Sequence, residues 1–124
     1  MQLNMSERQV DAVTILDLSG KLTIDQGAQR LKDKVNSLVQ QGRTAVVVNL
    51  GDVSYIDSGG LGQLVASYTS LKKASGTLKL LNLNKRNHDL LSITRLVTLF
   101  DTFDSEDDAV NSFYSPAVAS AVTE

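Results

Sequence analysis

The part of this sequence best suited to chemistry is the segment 57–62. It places a serine hydroxyl directly after a carboxylate and then supplies three glycines in four positions: Asp57-Ser58-Gly59-Gly60-Leu61-Gly62. A serine hydroxyl can act as a nucleophile, cap a helix or accept a phosphoryl group. The glycines allow the backbone to approach a ligand closely or to pack tightly against a neighbouring segment.

Nucleophilic catalysis by Ser58 is not supported by the rest of the chain. The tetrapeptide 57–60 matches the one around a serine-protease nucleophile, but those proteases are β-barrels whose histidine precedes the serine. Here the only histidine, His88, follows Ser58. Position 56 is isoleucine, which excludes a Gly-x-Ser-x-Gly elbow. The glycines match neither the P-loop nor the dinucleotide-binding pattern, so no nucleotide site is predicted.

Two interpretations of Ser58 remain open. It could simply cap the following helix, an interaction worth about 1 kcal/mol relative to alanine. Alternatively, it is an exposed phosphoacceptor, and phosphorylation would add a charge of about −1.5 to −2. The positive end of the helix would tolerate that charge, and with Asp57 it would form a strongly anionic patch. A partner surface fitted to a neutral hydroxyl would then meet uncompensated charge.

Composition limits the other classes of function. The chain has 124 residues, 42% of them apolar, and a formal charge of −2, which suits one globular domain. The absence of cysteine and the single histidine argue against a metal centre, and we expect no metal, cofactor or catalytic residue. The slight acidity argues against direct binding of nucleic acid. No apolar run approaches the roughly 20 residues of a membrane helix, and the N-terminus does not resemble a signal peptide. These features predict a cytoplasmic, bacterial-style protein.

The elements that must position Ser58 begin with two short strands. The segments 2–8 and 12–19 are joined by a polar turn and are therefore expected to pair antiparallel. A helix follows, with Asp25 as its expected N-cap and Gly42 as its stop.

The centre of the chain predicts a β-α-β unit around Ser58. The segment 44–50 is apolar on both faces, as in a central strand covered by helices. A loop over 51–57 leads into a helix from Ser58 to about residue 75, and a second buried strand covers 78–83. Such a unit crosses over in the right-handed sense.

The remaining sequence predicts smaller elements. We expect a helix over 86–94, an edge strand over 97–100 and a helix capped by Ser105. Strands alternating with helices make an α/β domain over residues 1–113, and the segment 114–124 is expected to be a flexible tail.

The segment 57–62 resembles the Asp-Ser-Ser/Thr-Gly-Leu-Gly motif of bacterial anti-sigma factor antagonists, which are stand-alone STAS domains. The resemblance covers roughly residues 3–113 and includes the segments 18–22, 48–53 and 90–103. It implies a single STAS-type domain with a mixed sheet of four to five strands, an antiparallel N-terminal pair and about four helices.

The resemblance also implies a function. Members of this family bind an anti-sigma factor that is an ATP-dependent serine kinase, and thereby free a sigma factor. The kinase phosphorylates the serine that corresponds to Ser58, the complex dissociates, and a PP2C-type phosphatase reverses the modification. The chain itself would not be an enzyme. The residues expected to face the partner are Thr23, Asp25, Tyr55, Asp57, Ser58, Gly59, Gly60, Leu61 and Gly62.

The chain departs from the family pattern at three positions. Gly59 replaces the second hydroxyl residue, which is expected to remove a contact and loosen the loop. Thr23 replaces an aspartate of the early Gly-x-Leu-Asp element, for which Asp25 is a candidate substitute, and Arg95 replaces a late glycine. These departures leave an alternative function open, namely a constitutive scaffold in a stress-signalling complex.

The other polar and aromatic candidates have simpler explanations. His88 is expected at the surface, and Lys85 and Arg86 are expected to form a solvated basic face. Tyr68 falls on the apolar stripe of its helix and is expected in the core, whereas Tyr55 could belong to the core or to an exposed rim.

Overall fold

A mixed sheet runs through the structure, a computed structural model that describes residues 3–114. Its strands are Asn4–Val10 (β1), Val13–Leu22 (β2), Ala45–Ile56 (β3), Thr77–Leu81 (β4) and Thr102–Phe103 (β5). Within the same residues the helices are Ala28–Gln40 (α1), Ser58–Lys73 (α2), Lys85–Ile93 (α3) and Glu106–Asn111 (α4), with a 3₁₀ turn at Leu96–Thr98.

The five strands lie side by side in chain order. β1 and β2 are antiparallel, whereas β2, β3, β4 and β5 are parallel to one another. This topology confirms the predicted α/β fold with an antiparallel N-terminal pair. The C-terminal ends of β2, β3 and β4 therefore meet at one edge of the sheet, where parallel α/β sheets commonly place their functional sites.

The hydrophobic core has two layers because helices cover both faces of the sheet. Leu16, Val46 and Val48 point toward α1 and α2, while Ile15 and Val47 point toward α4. All five side chains are buried. This explains why β3 is apolar at consecutive positions, since neither of its faces meets water.

The predicted loop over 51–57 is wrong, because β3 continues to Ile56. Its extension pairs with the end of β2, where Gly20 lies opposite Val53 and Leu22 lies opposite Ile56. The register shifts between Asp17 and Ser19 and between Gly20 and Lys21 let the two strands stay paired beyond the polar residues that suggested a loop. β2 likewise extends beyond its predicted end.

Two further element boundaries differ from the prediction. Asp25 does not cap α1, because the cap position is Gly27, with φ of +89° and no side-chain hydrogen bond. A Cβ atom on Gly27 would overlap the side chain of Leu3 and lie 2.7 Å from its Cβ atom, so this position needs glycine. The edge strand expected over 97–100 is a 3₁₀ turn at Leu96–Thr98, and β5 forms later.

Three predicted features near the C-terminus can be compared with the structure. Ser105 caps α4 by accepting a hydrogen bond from the Asp108 N–H at 3.3 Å, as expected. Arg95 adopts φ of +64°, a conformation that favours glycine. Most of the expected tail over 114–124 lies outside the described residues. Its first residue, Tyr114, accepts a hydrogen bond from the Ala12 N–H.

An ion-pair network ties β1 and β2 to the start of α4. The Arg8 guanidinium contacts the Asp17 carboxylate at 2.6 Å and the Glu106 carboxylate at 2.8 Å. The hydrogen bond from Arg8 lowers the pKa of Asp17 below its ordinary value, and a second one from Asn49 acts in the same direction.

Acid is therefore expected to destabilise the fold partly through Asp17. A carboxyl group with a lowered pKa stabilises the folded state fully above its unfolded pKa of about 3.9, and this contribution disappears as pH falls through the lower folded value. Urea unfolding should show that the free energy of unfolding falls less between pH 6 and pH 3 in Asp17→Asn than in the wild type. The difference between the two proteins should be less than about 1 kcal/mol, because the ion pair is partly exposed. Asp104→Asn, at an exposed carboxylate, serves as the control. Equal losses in all three proteins would contradict this role of Asp17.

Candidate functional site

Ser58 is the first residue of α2, and only Asp57 separates it from the end of β3. The N-cap of α2 is Asp57, whose side chain accepts the Gly60 N–H at 2.7 Å. The interpretation of Ser58 as the helix cap is therefore wrong, since its neighbour performs that role. The Ser58 side chain is left free for another use.

The Asp57 carboxylate also joins two separate parts of the chain. Its two oxygens accept the N–H of Ile24 at 3.1 and 3.2 Å, while the Asp57 N–H donates to the Leu22 carbonyl oxygen at 3.3 Å. These bonds attach the β2–α1 loop, residues 23–27, to the start of α2. Backbone N–H groups and the positive end of α2 thus surround the Asp57 carboxylate, an environment that favours negative charge.

The Ser58 hydroxyl is exposed, and within residues 3–114 it has no hydrogen-bond partner. As the first helical residue it lies beside the N–H groups that an α-helix leaves without intrahelical acceptors. Negative charge is favoured at this end of a helix. The position can therefore accept a phosphoryl group without a conflict with α2.

The glycines after Ser58 permit close packing rather than flexibility. A Cβ atom on Gly60 would overlap the backbone of Leu22 and lie 2.7 Å from its carbonyl carbon, and one on Gly59 would lie 2.5 Å from the Ile24 Cβ atom. Gly59 thus holds a tight contact with the β2–α1 loop, and the expectation that it loosens the loop is wrong. Gly62 differs, because within residues 3–114 no atom beyond the neighbouring backbone of its own helix lies within 4 Å of the corresponding position.

The predicted partner-facing residues divide by exposure. Asp25, Ser58 and Gly62 are exposed, and Tyr55 is 41% exposed. The half-buried residues are Thr23, Asp57 and Gly59. Gly60 and Leu61 are buried and support the site from below.

Thr23 has a structural contact of its own. Its hydroxyl oxygen accepts the Gln26 N–H at 2.9 Å, and the residue forms an isolated β-bridge with Gly27. These contacts shape the β2–α1 loop, which the bonds to Asp57 then hold beside Ser58.

Tyr55 belongs to an exposed rim, which answers the question that the sequence left open. The Arg86 guanidinium lies 5.7 Å from the centre of its ring. Both residues line a groove of about 390 Å³ together with Leu90 and Ile93 of α3. Arg86 therefore has an aromatic neighbour as well as solvent.

The end of β3 is also held from the side of α3. The Val53 carbonyl oxygen accepts hydrogen bonds from the side-chain amides of Asn84 and Asn87, at 3.1 and 3.0 Å. Asn84 in turn caps α3 by accepting the Asn87 N–H at 2.8 Å. These amides supply the donors that β4 cannot, because β4 has already ended.

Sequence reasoning missed two exposed apolar side chains near the site. Ile24 is 67% exposed in the β2–α1 loop, and Ile93 is 81% exposed at the end of α3. The sequence feature that could have pointed to Ile24 is an apolar residue among polar loop positions, directly after the segment 20–23 that was compared with the family pattern. Its importance depends on the contact with Gly59, which no local pattern reveals.

The other polar candidates have no role in this site. His88 is exposed, as predicted, and Lys85 forms an ion pair with Asp89 at 2.9 Å. Tyr68 is half-buried and packs edge-on against Phe100, in agreement with a core position. Within residues 3–114, no group of three or more histidine, aspartate or glutamate side chains could hold a metal ion. In the same residues no helix has the length and apolarity needed to cross a membrane.

Comparison with known proteins gives consistent matches over nearly the whole chain. The model of the STAS domain matches residues 4–109. The anti-sigma-B factor antagonist of Bacillus subtilis is 35% identical over 101 residues, which cover 82% of this chain and 91% of that protein. A crystal structure from Thermotoga maritima, of a protein proposed to be an anti-sigma factor antagonist, is 28% identical with a TM-score of 0.81 and covers 87% of this chain and 92% of that one.

A third match shares the fold in a modified state. The structure of the Bacillus cell fate determinant SpoIIAA in its phosphorylated form has a TM-score of 0.71 and 20% sequence identity. It covers 89% of this chain and 99% of that one.

Proposed function

Because the chain belongs to the STAS domain family and to its anti-sigma factor antagonists, we propose that it captures an anti-sigma factor and is released by phosphorylation of Ser58. The observation that carries this proposal is the exposed hydroxyl at the first residue of α2, which has no hydrogen-bond partner within residues 3–114 and lies next to a cap supplied by Asp57. Because the cap is separate, Ser58 can be modified without loss of the bond that starts the helix.

The switch acts through binding and leaves the fold intact. A phosphoryl group adds a charge of about −1.5 to −2, which the positive end of α2 accommodates within the domain. The same charge prevents capture, because the partner surface fits a neutral hydroxyl. SpoIIAA, which shares the fold, keeps it in its phosphorylated form, and this supports a fold that tolerates modification.

The residues of the site have two kinds of role in this proposal. Asp25, Tyr55, Ser58 and Gly62 contact the anti-sigma factor directly, since all four are exposed and lie near the start of α2 in sequence or in the loop bonded to it. The remaining residues hold these surfaces in place from below or from the side: Thr23, Asp57, Gly59, Gly60 and Leu61.

The partners follow from the chemistry of the switch. The anti-sigma factor is itself the kinase: the Ser58 oxygen attacks the γ-phosphorus of ATP, ADP leaves, and the hydroxyl proton passes to a base of the kinase. A PP2C-type phosphatase hydrolyses the phosphoserine and regenerates the hydroxyl. The chain is a substrate and a binding protein with no catalytic role, its STAS domain spans residues 1–113, and it acts in the cytoplasm.

Phosphate mapping tests this proposal. After incubation with the anti-sigma factor kinase and ATP, mass spectrometry should locate one phosphate on Ser58 in the wild type and none in Ser58→Ala. Ser54→Ala is the matched control, because Ser54 is an exposed serine on the adjacent end of β3 and should leave the incorporation unchanged. Phosphate at another residue, or its persistence in Ser58→Ala, would refute the assignment of the site.

A constitutive scaffold is the second candidate function. It is favoured by Gly59, which stands where the family motif quoted above has serine or threonine and which packs against Ile24. A scaffold would remain bound to large partners in the presence of ATP. Release of the partner by ATP, measured by size-exclusion chromatography, separates the switch from the scaffold.

A further inference from the structure

An apolar side chain stands beside the proposed phosphoacceptor and is largely uncovered. Ile24 is 67% exposed, although removal of an isoleucine side chain from water is energetically favourable. Its backbone is held in place, because the Ile24 N–H donates to both oxygens of the Asp57 carboxylate. Asp57 immediately precedes Ser58, so Ile24 keeps a defined position relative to the hydroxyl.

The contact with Gly59 restricts Ile24 further. A Cβ atom on Gly59 would lie 2.5 Å from the Ile24 Cβ, 2.9 Å from its Cδ1 and 3.0 Å from its Cα. Because a change of rotamer moves neither the Cβ nor the Cα atom of Ile24, it could not relieve the overlap at 2.5 Å. The present position of Ile24 therefore requires glycine at residue 59, and the pair forms one rigid unit at the start of α2.

We propose that Ile24 is the apolar anchor of the complex with the anti-sigma factor, which presents an apolar recess next to the groove where its ATP meets Ser58. This inference rests on the proposed function. It adds Ile24, the residue before Asp25, to the partner-binding residues, and it requires that the surface of the anti-sigma factor facing Ile24 is apolar. Proximity to Ser58 favours the kinase as the occupant, because Ile24 is bonded to Asp57 and packs against Gly59, the two residues on either side of Ser58.

The anchor should contribute to binding and not to the phosphoryl transfer itself. Ile24 carries no polar side-chain atom and cannot stabilise the charge that develops on the transferred phosphoryl group. Its loss should therefore raise the KM for this protein as a substrate of the kinase by about ten- to a hundredfold, with kcat changed by less than about twofold.

Binding measurements with three variants test the anchor. The dissociation constant for the anti-sigma factor, measured without ATP, should increase about ten- to a hundredfold in Ile24→Ser. Ile24→Val should retain most of the affinity, because it keeps a β-branched apolar side chain. Tyr114→Ser should bind as the wild type does. Tyr114 is 53% exposed and contacts Ala12 ahead of β2, at the opposite end of the sheet from Ser58.

The possible outcomes separate this inference from the proposed function. If the wild type binds and Ile24→Ser binds within twofold of it, the anchor is wrong and the proposed function is unaffected. An equal loss in Tyr114→Ser would also overturn the anchor, since the effect would not be specific to Ile24. If the wild type does not bind the anti-sigma factor, the proposed function fails and the anchor fails with it. Melting temperatures equal to that of the wild type exclude misfolding as the cause.

Discussion

Replacement of Ser58 by aspartate should weaken capture of the anti-sigma factor by at least about 30-fold. A charge that is buried without a partner in a protein interface costs about 2–5 kcal/mol, and each 1.4 kcal/mol corresponds to about a tenfold change in affinity. The cost arises in the complex and not in the free protein. In the free protein the new carboxylate lies at the positive end of α2, where negative charge is favourable.

The matched control for this charge is Ser58→Asn, which has nearly the same shape as aspartate and is neutral. Titration calorimetry should show a much smaller loss of affinity for asparagine than for aspartate. Thermal unfolding should show that Ser58→Asp is at least as stable as Ser58→Asn. If the two variants bind equally weakly, the interface rejects any side chain larger than serine at this position, and the charge mechanism is wrong.

Replacement of Gly60 by alanine should destabilise the fold by about 3 kcal/mol, near the upper end of the effects seen for overpacked positions. The added Cβ atom would overlap the Leu22 carbonyl oxygen and lie 2.7 Å from the Leu22 carbonyl carbon. Both are backbone atoms, so the start of α2 must move away from the end of β2. That movement would also lengthen the hydrogen bonds that join Asp57 to Leu22 and Ile24.

Gly62→Ala provides the control in the same helix. In the described part of the chain, no atom beyond the neighbouring backbone of α2 lies within 4 Å of a Cβ atom at Gly62, and alanine is the better helix former by about 1 kcal/mol. Urea unfolding should therefore show Gly62→Ala to be as stable as the wild type or more stable. A similar stability of the Gly60 and Gly62 variants would mean that the close approach of Gly60 to Leu22 does not limit the fold.

The order and type of the main elements could be predicted because their patterns are local. The apolar spacing of α2 and the continuous apolar run of β3 each reflect what one segment buries. The position of Ser58 at the start of a helix followed from the same patterns. Resemblance to the family motif then suggested its role as a phosphoacceptor, which stays a prediction, whereas the similarity to the Bacillus subtilis antagonist shows the family.

The wrong boundaries have a common physical cause. The segment 51–56 contains glycine and aspartate, which locally favour a loop, yet it forms strand because the end of β2 offers hydrogen-bond partners. Asp25 has the right residue type for a helix cap, but the contacts of Gly27 with Leu3 place the start of α1 later. In both places a distant segment overrides a local preference.

The sequence alone determined the fold class and the presence of a serine between a carboxylate and a glycine-rich helix start. The tertiary structure decided what each of these residues does. Parallel pairing of β2 with β3 brings Leu22 beside Ile56 and so places the loop after one strand against the helix after the other. The bond that makes Asp57 the helix cap is local, but only that juxtaposition links Asp57 to Ile24 and requires glycine at residue 59. These contacts join residues far apart in the chain, which local patterns cannot specify.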